Sequence, residues 1–222
     1  GGAPAESWRK FGASTLLSIA SDHARAGQLA EAVARAEQAL ASATLYKTSF
    51  PGLAAYEKNA RAFIAGARLA AAGGIPTDLS DKLTLAYWLL PHELWADLYP
   101  VFRAVVEDPI GRADRMGVHL YNAACAACVL ASKTKDSDEA AELRNQALVW
   151  LKQFVDDWKQ RIAAPPPDSD PQIRTALAAR FKELRRHALG NAHLATLRGL
   201  TEFRELFSED QQQADKPAGV DR

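Results

Sequence analysis

Apolar residues in this chain recur at intervals of three and four, and alanine fills many of those positions. The clearest run is Leu143, Ala147, Leu151, Phe154, Trp158 and Ile162, while Glu142, Asn145, Lys152 and Lys159 fall mostly off that stripe. Such a period describes an amphipathic helix, because a half-buried strand needs alternation at every second residue. β-branched residues are sparse, and no stretch alternates cleanly between hairpin turn signals, so sheet is not expected. The expected fold class is all-α.

Start and stop signals divide the helical pattern. Gly27 should end a first helix near Ala26, and a second should run over about 29–43. A third, over about 51–72, opens on Pro51 and closes at Gly73-Gly74. Between Ser80 and Glu107, Pro91 and Pro100 each remove an amide donor, which predicts two or three short pieces. Helices over about 113–131 and 137–162 follow, the second opened by Asp136 and Glu139 in a capping-box spacing. Pro165-Pro166-Pro167-Asp168-Ser169-Asp170 reads as a stiff linker, followed by helices over about 171–187 and 201–207. Residues 208–222 carry few apolar groups to offset ordering entropy and are expected to be a flexible tail.

Lys plus Arg number 27 and Asp plus Glu number 27, so the chain has no net excess of cations. Neither nucleic acid nor an anionic bilayer is an expected partner, since both are held by clustered positive charge. No run reaches the roughly 18 apolar residues of a membrane span, and the N-terminus lacks the pattern of a signal peptide. The two cysteines, Cys125 and Cys128, lie in an alanine-rich apolar run, which fits a reducing, cytoplasmic setting. Gly1-Gly2 in place of an initiator Met is the expected mark of a cut start within a longer protein.

Paired helices with short turns invite a search for a period. Over the 34 residues from Ala13 to Tyr46, small residues fall at Ala20 in the first helix, Gly27 in the turn, and Ala32 and Ala39 in the second. Leu16 and Ile19 supply the large apolar knobs. This pattern resembles the tetratricopeptide repeat. A second match begins at Leu120-Tyr121-Asn122-Ala123-Ala124-Cys125 and continues to Ala140 and Ala147, with four extra residues in the polar turn 132–136. Tyr121-Asn122-Ala123-Ala124-Cys125, Ala147-Leu148-Val149-Trp150-Leu151, Trp158 and His193-Leu194-Ala195-Thr196-Leu197-Arg198 are together similar to tetratricopeptide-like regions of large bacterial serine/threonine kinases, with His193 where that family usually has an acid.

The resemblance implies a right-handed superhelical stack of antiparallel pairs, about eight helices over 13–207, preceded by a lead-in over 1–12. Repeats at 13–46 and 117–162 would flank degenerate helices at 47–110, with C-terminal helices over 171–207. It also implies a concave wall, built by the first helix of each pair, that takes a peptide or partner domain. On this register the wall residues are Ser14, Leu17, Ser21 and Arg25, then Tyr121, Asn122 and Cys125. The expected function is a protein-interaction scaffold. The alternative is a regulatory or self-association module of a signalling kinase, with any catalysis in a fused domain.

Catalytic signals are weak. Cys125 and Cys128 have redox or half-zinc spacing, but no second Cys pair or close His pair completes a site, so small buried packing residues are expected. His23, His92, His119, His187 and His193 are scattered, and no phosphate loop or kinase catalytic loop occurs. No metal or cofactor is expected. The third reading, a helical enzyme around His92, Glu93 and the Trp88/Trp95 pair, would need convergent polar groups. Tyr87, Trp88, Leu89, Leu90, Leu94, Trp95, Leu98 and Tyr99 are expected to pack short broken helices, and the basic run 180–187 to be a solvated face.

Overall fold

The structure is a computed structural model that describes residues 3–112, 117–164 and 171–207. Among these residues there is no strand, and the elements are α-helices with short 3-10 segments. The chain divides into two compact units, Gly1–Asp114 and Arg115–Arg222, where the sequence pattern leads one to expect a single array over 13–207. The expected linker at 165–170 and tail at 208–222 lie outside the described residues.

The first unit begins with α1 (Ala3–Arg25), α2 (Leu29–Tyr46) and α3 (Ala54–Ala72), the last preceded by a 3-10 turn at Pro51–Leu53. Residues 3–12, expected as a lead-in, form the first turns of α1. The three helices approach through a seam of small residues. Ala32, Ala36, Ala39 and Ala43 are the buried face of α2, and Ala13, Ala20 and Ala24 that of α1. Side chains this short let helix axes come close, and the larger groups Leu17, Val33, Leu40 and Phe63 close around the seam at Ala20, Ala36 and Ile64. Ion pairs edge the packing, among them Arg68 with Glu37 at 2.7 Å and Lys47 with Glu57 at 2.8 Å.

Both glycine stops act as the sequence leads one to expect. Gly27 adopts φ 75°, and the amides of Gly27 and Gln28 return to the carbonyls of Ala24 and His23 at 3.0 and 2.9 Å. That is a Schellman closure, which requires a left-handed residue. Gly73 and Gly74 also have positive φ, 72° and 74°, where α3 ends, but Gly73 has ψ 163° and its amide reaches the Ala70 carbonyl at 3.2 Å, so this stop is an extended exit and not a Schellman closure.

Next come α4 (Leu79–Leu89), a 3-10 turn at Leu90–His92, α5 (Trp95–Glu107) and the single turn α6 (Pro109–Arg112). Asp78 caps α4, accepting from the amides of Ser80 and Asp81. Pro91 sits at the break, as its chemistry demands. Pro100 does not break the chain: it lies inside α5, where its missing N–H forfeits one helical bond, to the Ala96 carbonyl, and the rest of the helix persists. Gly66 on α3 admits the close approach of α4, since a Cβ there would overlap the side chain of Trp88.

The second unit holds α7 (Val118–Lys133), α8 (Ser137–Ala163), α9 (Pro171–Gly190), a 3-10 segment at Ala192–Leu197 and α10 (Thr201–Phe207). The described residues thus contain ten α-helices, against the expected eight or so. Asp136 caps α8 through the amides of Asp138 and Glu139, while the Glu139 carboxylate takes the Thr134 hydroxyl at 2.6 Å. The core is aromatic. Phe154, Trp158 and Phe181 follow one another, with Trp158 and Phe181 stacked at 5.7 Å and 7° between ring planes. The Arg185 guanidinium lies 5.6 Å over Phe181. Gly117, at φ 63°, opens α7 and leaves room for Phe154, whose ring would lie 2.8 Å from a Cβ at that position.

Candidate functional site

The residues expected to line a concave wall fall into two sets, one in each unit. On α1, Ser14 and Arg25 are exposed and Ser21 is half-buried. Leu17 is turned into the alanine seam. In the second unit Cys125 is only 3 % exposed, so it presents no side chain to a partner; its assignment to an open wall is corrected. The reason is an element with no signal in the periodicity. The 3-10 segment Ala192–Leu197 packs on α7, and Asn191, which caps that segment by accepting from the His193 amide, donates to the Tyr121 hydroxyl at 2.7 Å and to Cys125 Sγ at 3.8 Å. Tyr121 also packs its ring against Phe154 and His187, so it is a structural residue of the unit. Asn122 is half-buried.

Residues 123 to 128 are all buried, which only a helix covered on every side can show. Burial pushes the Cys125 thiol far up and the Cys128 thiol to about 11, so neither is a thiolate at neutral pH. The small-packing role expected of this pair is what the geometry displays. Among the described residues no group of His, Cys, Asp and Glu is disposed to hold a metal ion.

The opening in the first unit lies elsewhere. A half-open cavity of about 340 Å³ forms where helix ends meet. Ala24 and Gly27 bring the end of α1 to it, and Ala70, Gly73 and Gly74 the end of α3. Leu29 opens α2 beside them, and Ile75 stands on the rim, 46 % exposed. Leu85, Trp88 and Leu89 of α4 form one wall; Leu94, Asp97, Pro100 and Val101, at or near the start of α5, form another. Its volume lies within the range of ligand sites, and its lining is apolar except for one carboxylate, Asp97.

Two buried polar atoms beside this cavity lack partners. Trp88 and His92 are 5 % and 6 % exposed, and neither the Trp88 indole N–H nor His92 Nδ1 makes a hydrogen bond. Buried donors are almost always paired, so this pair marks an incompletely satisfied place in the fold. Trp88, His92 and Phe63 are mutually packed, with centroid separations of 4.7, 5.5 and 5.8 Å. Burial, and then the nearby Arg25 charge, holds the His92 pKa below its ordinary value. Glu93 is exposed, with φ 57°, and no hydrogen bond joins it to His92 Nδ1. The polar convergence that an acid–base pair would need is not assembled there.

Of the aromatic group expected to pack broken helices, Trp88, Leu89, Trp95 and Leu98 are buried and Tyr87 is 44 % exposed. The cavity itself was not foreseen. Its signal was present in the glycine stops: in an up-down-up run of helices, α1 and α3 end at the same side, so Gly27 and Gly73 converge. What fold and cavity define together is an all-helical chain with a ligand-sized apolar opening and a single lining carboxylate. Comparison with protein-family models, with curated proteins and with solved structures finds no match for the chain.

Proposed function

We propose that this chain is a helical protein-interaction scaffold in which the cavity of the first unit receives a side chain of a bound peptide or partner domain. The observation that carries the proposal is the cavity itself: about 340 Å³, apolar, half-open, and ringed by glycines. Gly27, Gly73 and Gly74 leave open space where a Cβ would stand, so a second backbone can approach this rim. Helix pairs nested on alanine around Gly27 support the tetratricopeptide-like character of residues 13–46. The chemistry is complementarity without bond making, and specificity comes from what the walls accept. The proposal gives no part to nucleic acid or a bilayer; the charge balance favours neither, and among the described residues no helix is long and apolar enough to cross a membrane.

Peptide selection against the chain tests this directly. Enriched peptides should bind at least tenfold more weakly to Ala70→Phe, which places a ring in the cavity. Equal binding to both proteins would move the site elsewhere.

A second reading, self-association as a regulatory module of a larger signalling protein, is favoured by a separate feature. Trp8 and Phe11 are 74 % and 65 % exposed on one face of α1 and pack edge to face on each other. Light scattering on the chain and on Trp8→Ala/Phe11→Ala separates the two: a dimer lost on substitution supports self-association, and a monomer in both cases returns the weight to the scaffold.

A further inference from the structure

We infer that the occupant of the cavity is a peptide segment of a partner protein that sets a Lys or Arg beside a large apolar side chain. The inference rests on the scaffold proposal above and names the chemistry that proposal leaves open. The apolar half follows from the walls, where Leu85, Leu89 and Val101 offer no polar group and Trp88 offers a single N–H, so most of a buried side chain there meets only carbon.

The cationic half follows from the charges at the mouth. Asp97 is exposed, lines the cavity, and has no ion-pair or hydrogen-bond partner among the described residues. Two helices, α1 and α3, end there and two, α2 and α5, begin there, so their dipoles offset one another and Asp97 is the one formal charge on the lining. The nearby cation is already engaged: Arg25 is held by Asp22 at 2.9 Å. In the adjoining hollow past Gly27 and Leu29, the Glu31 carboxylate is likewise held, by Arg35 at 2.7 Å. Asp97, in the first turn of α5, is the carboxylate left without an ion-pair partner among the described residues.

A peptide, more than a free small amine, is indicated by the rim. Three glycines with positive φ and nothing within 4 Å of a would-be Cβ give a main chain access to main-chain groups. The Trp88 indole N–H is an unpaired donor on a wall residue, and it supplies a resonance to follow.

The test uses the full chain, labelled with ¹⁵N, and capped hexapeptides centred on Lys and Leu in both orders, with norleucine or Glu replacing Lys in the controls. Phenethylamine is a fourth probe. The Lys peptide should move the Trp88 indole and the Gly73 and Gly74 amide resonances, and bind about fivefold more tightly than its norleucine analogue, the scale of an exposed ion pair. Asp97→Asn should bring the Lys peptide down to the norleucine level and leave the norleucine peptide unchanged. Equal binding of Lys and norleucine peptides, or a preference that survives Asp97→Asn, overturns the cationic assignment while leaving the cavity as a site. Tighter binding of phenethylamine than of any peptide overturns the peptide assignment. If no probe moves the cavity resonances, the scaffold proposal fails with it. Ala70→Phe should abolish every shift; if circular dichroism shows that variant unfolded, Ile75→Glu on the exposed rim serves in its place, and unchanged binding to it counts against the cavity.

Discussion

The two units solve the same problem of joining helices with opposite materials. In the first, alanine lines the contact faces of α1 and α2, and the axes come close. Small residues cannot fill the space left where helices end and diverge, and the cavity at Gly27 and Gly73 occupies it. In the second, the run Phe154, Trp158, Phe181 and Arg185 fills the interior with stacked rings, and Asn191 ties Tyr121 and Cys125 into a hydrogen-bonded set. The comparison separates a unit whose helix ends leave an apolar cavity from one whose interior is filled by rings and whose hollows lie along α9, beside Glu183 and Arg186. Three of the seven residues expected on a concave wall, Leu17, Tyr121 and Cys125, are packing groups of their own units.

Removing the largest ring of the second unit should have the largest effect. Trp158 is fully buried, so Trp158→Ala should cost about 3–5 kcal/mol, seen as a lower denaturant midpoint and faster labelling of Cys128 by a thiol reagent. Unchanged Cys128 protection would mean that the aromatic run is not what closes that core.

The first unit offers a sharper contrast within one helix. Gly66→Ala forces a methyl into Trp88 and should destabilise by about 1–3 kcal/mol, whereas Ala70→Phe, four residues along, adds a ring to the wall of a cavity and should leave the midpoint nearly unchanged. Similar losses from both would show the cavity to be closed in solution.

Asn191→Ala removes a cap and the partner of the Tyr121 hydroxyl together, and a loss of about 1–2 kcal/mol is expected from calorimetry. Tyr121→Phe should recover part of it in the double variant, because it deletes the group left unpaired.

The smallest effect is a pH dependence confined to the first unit. His92 has a folded pKa below its ordinary value, so the unfolded chain binds the proton more readily. Stability should therefore be complete above about pH 6.5, the unfolded value, and fall as the pH drops through it. Hydrogen exchange in α4 at pH 7.5 and pH 5 reads this, and His92→Phe, which keeps a ring against Phe63 and Trp88, should flatten the change. An increase in protection at low pH would reverse the assigned sign.

Helix identity was legible because its signals are local. Asp136 ahead of α8, Gly27 after α1 and Gly73 after α3 each act through hydrogen bonds or φ values within a few residues of themselves. Pro100 misled for the same reason: the local cost of a missing donor is real, but the packing of Leu98, Val101, Phe102 and Val105 outweighs one lost bond. The segment Ala192–Leu197 stood out only as a phrase, His193 to Arg198, and showed no period, since six residues of 3-10 helix are too short for one; yet it is this segment that packs on the face of α7 around Cys125.

The sequence by itself determined that the chain is helical, where most helices begin and end, and that alanine and glycine would let them approach, because these are consequences of backbone geometry and side-chain size read along the chain. Tertiary structure alone decided which of those faces stayed open. Whether Tyr121 meets a partner or Asn191, and whether the ends of α1 and α3 close on each other or leave a space beside Asp97, depends on groups tens of residues apart, and no local rule ranks those contacts before the chain has folded.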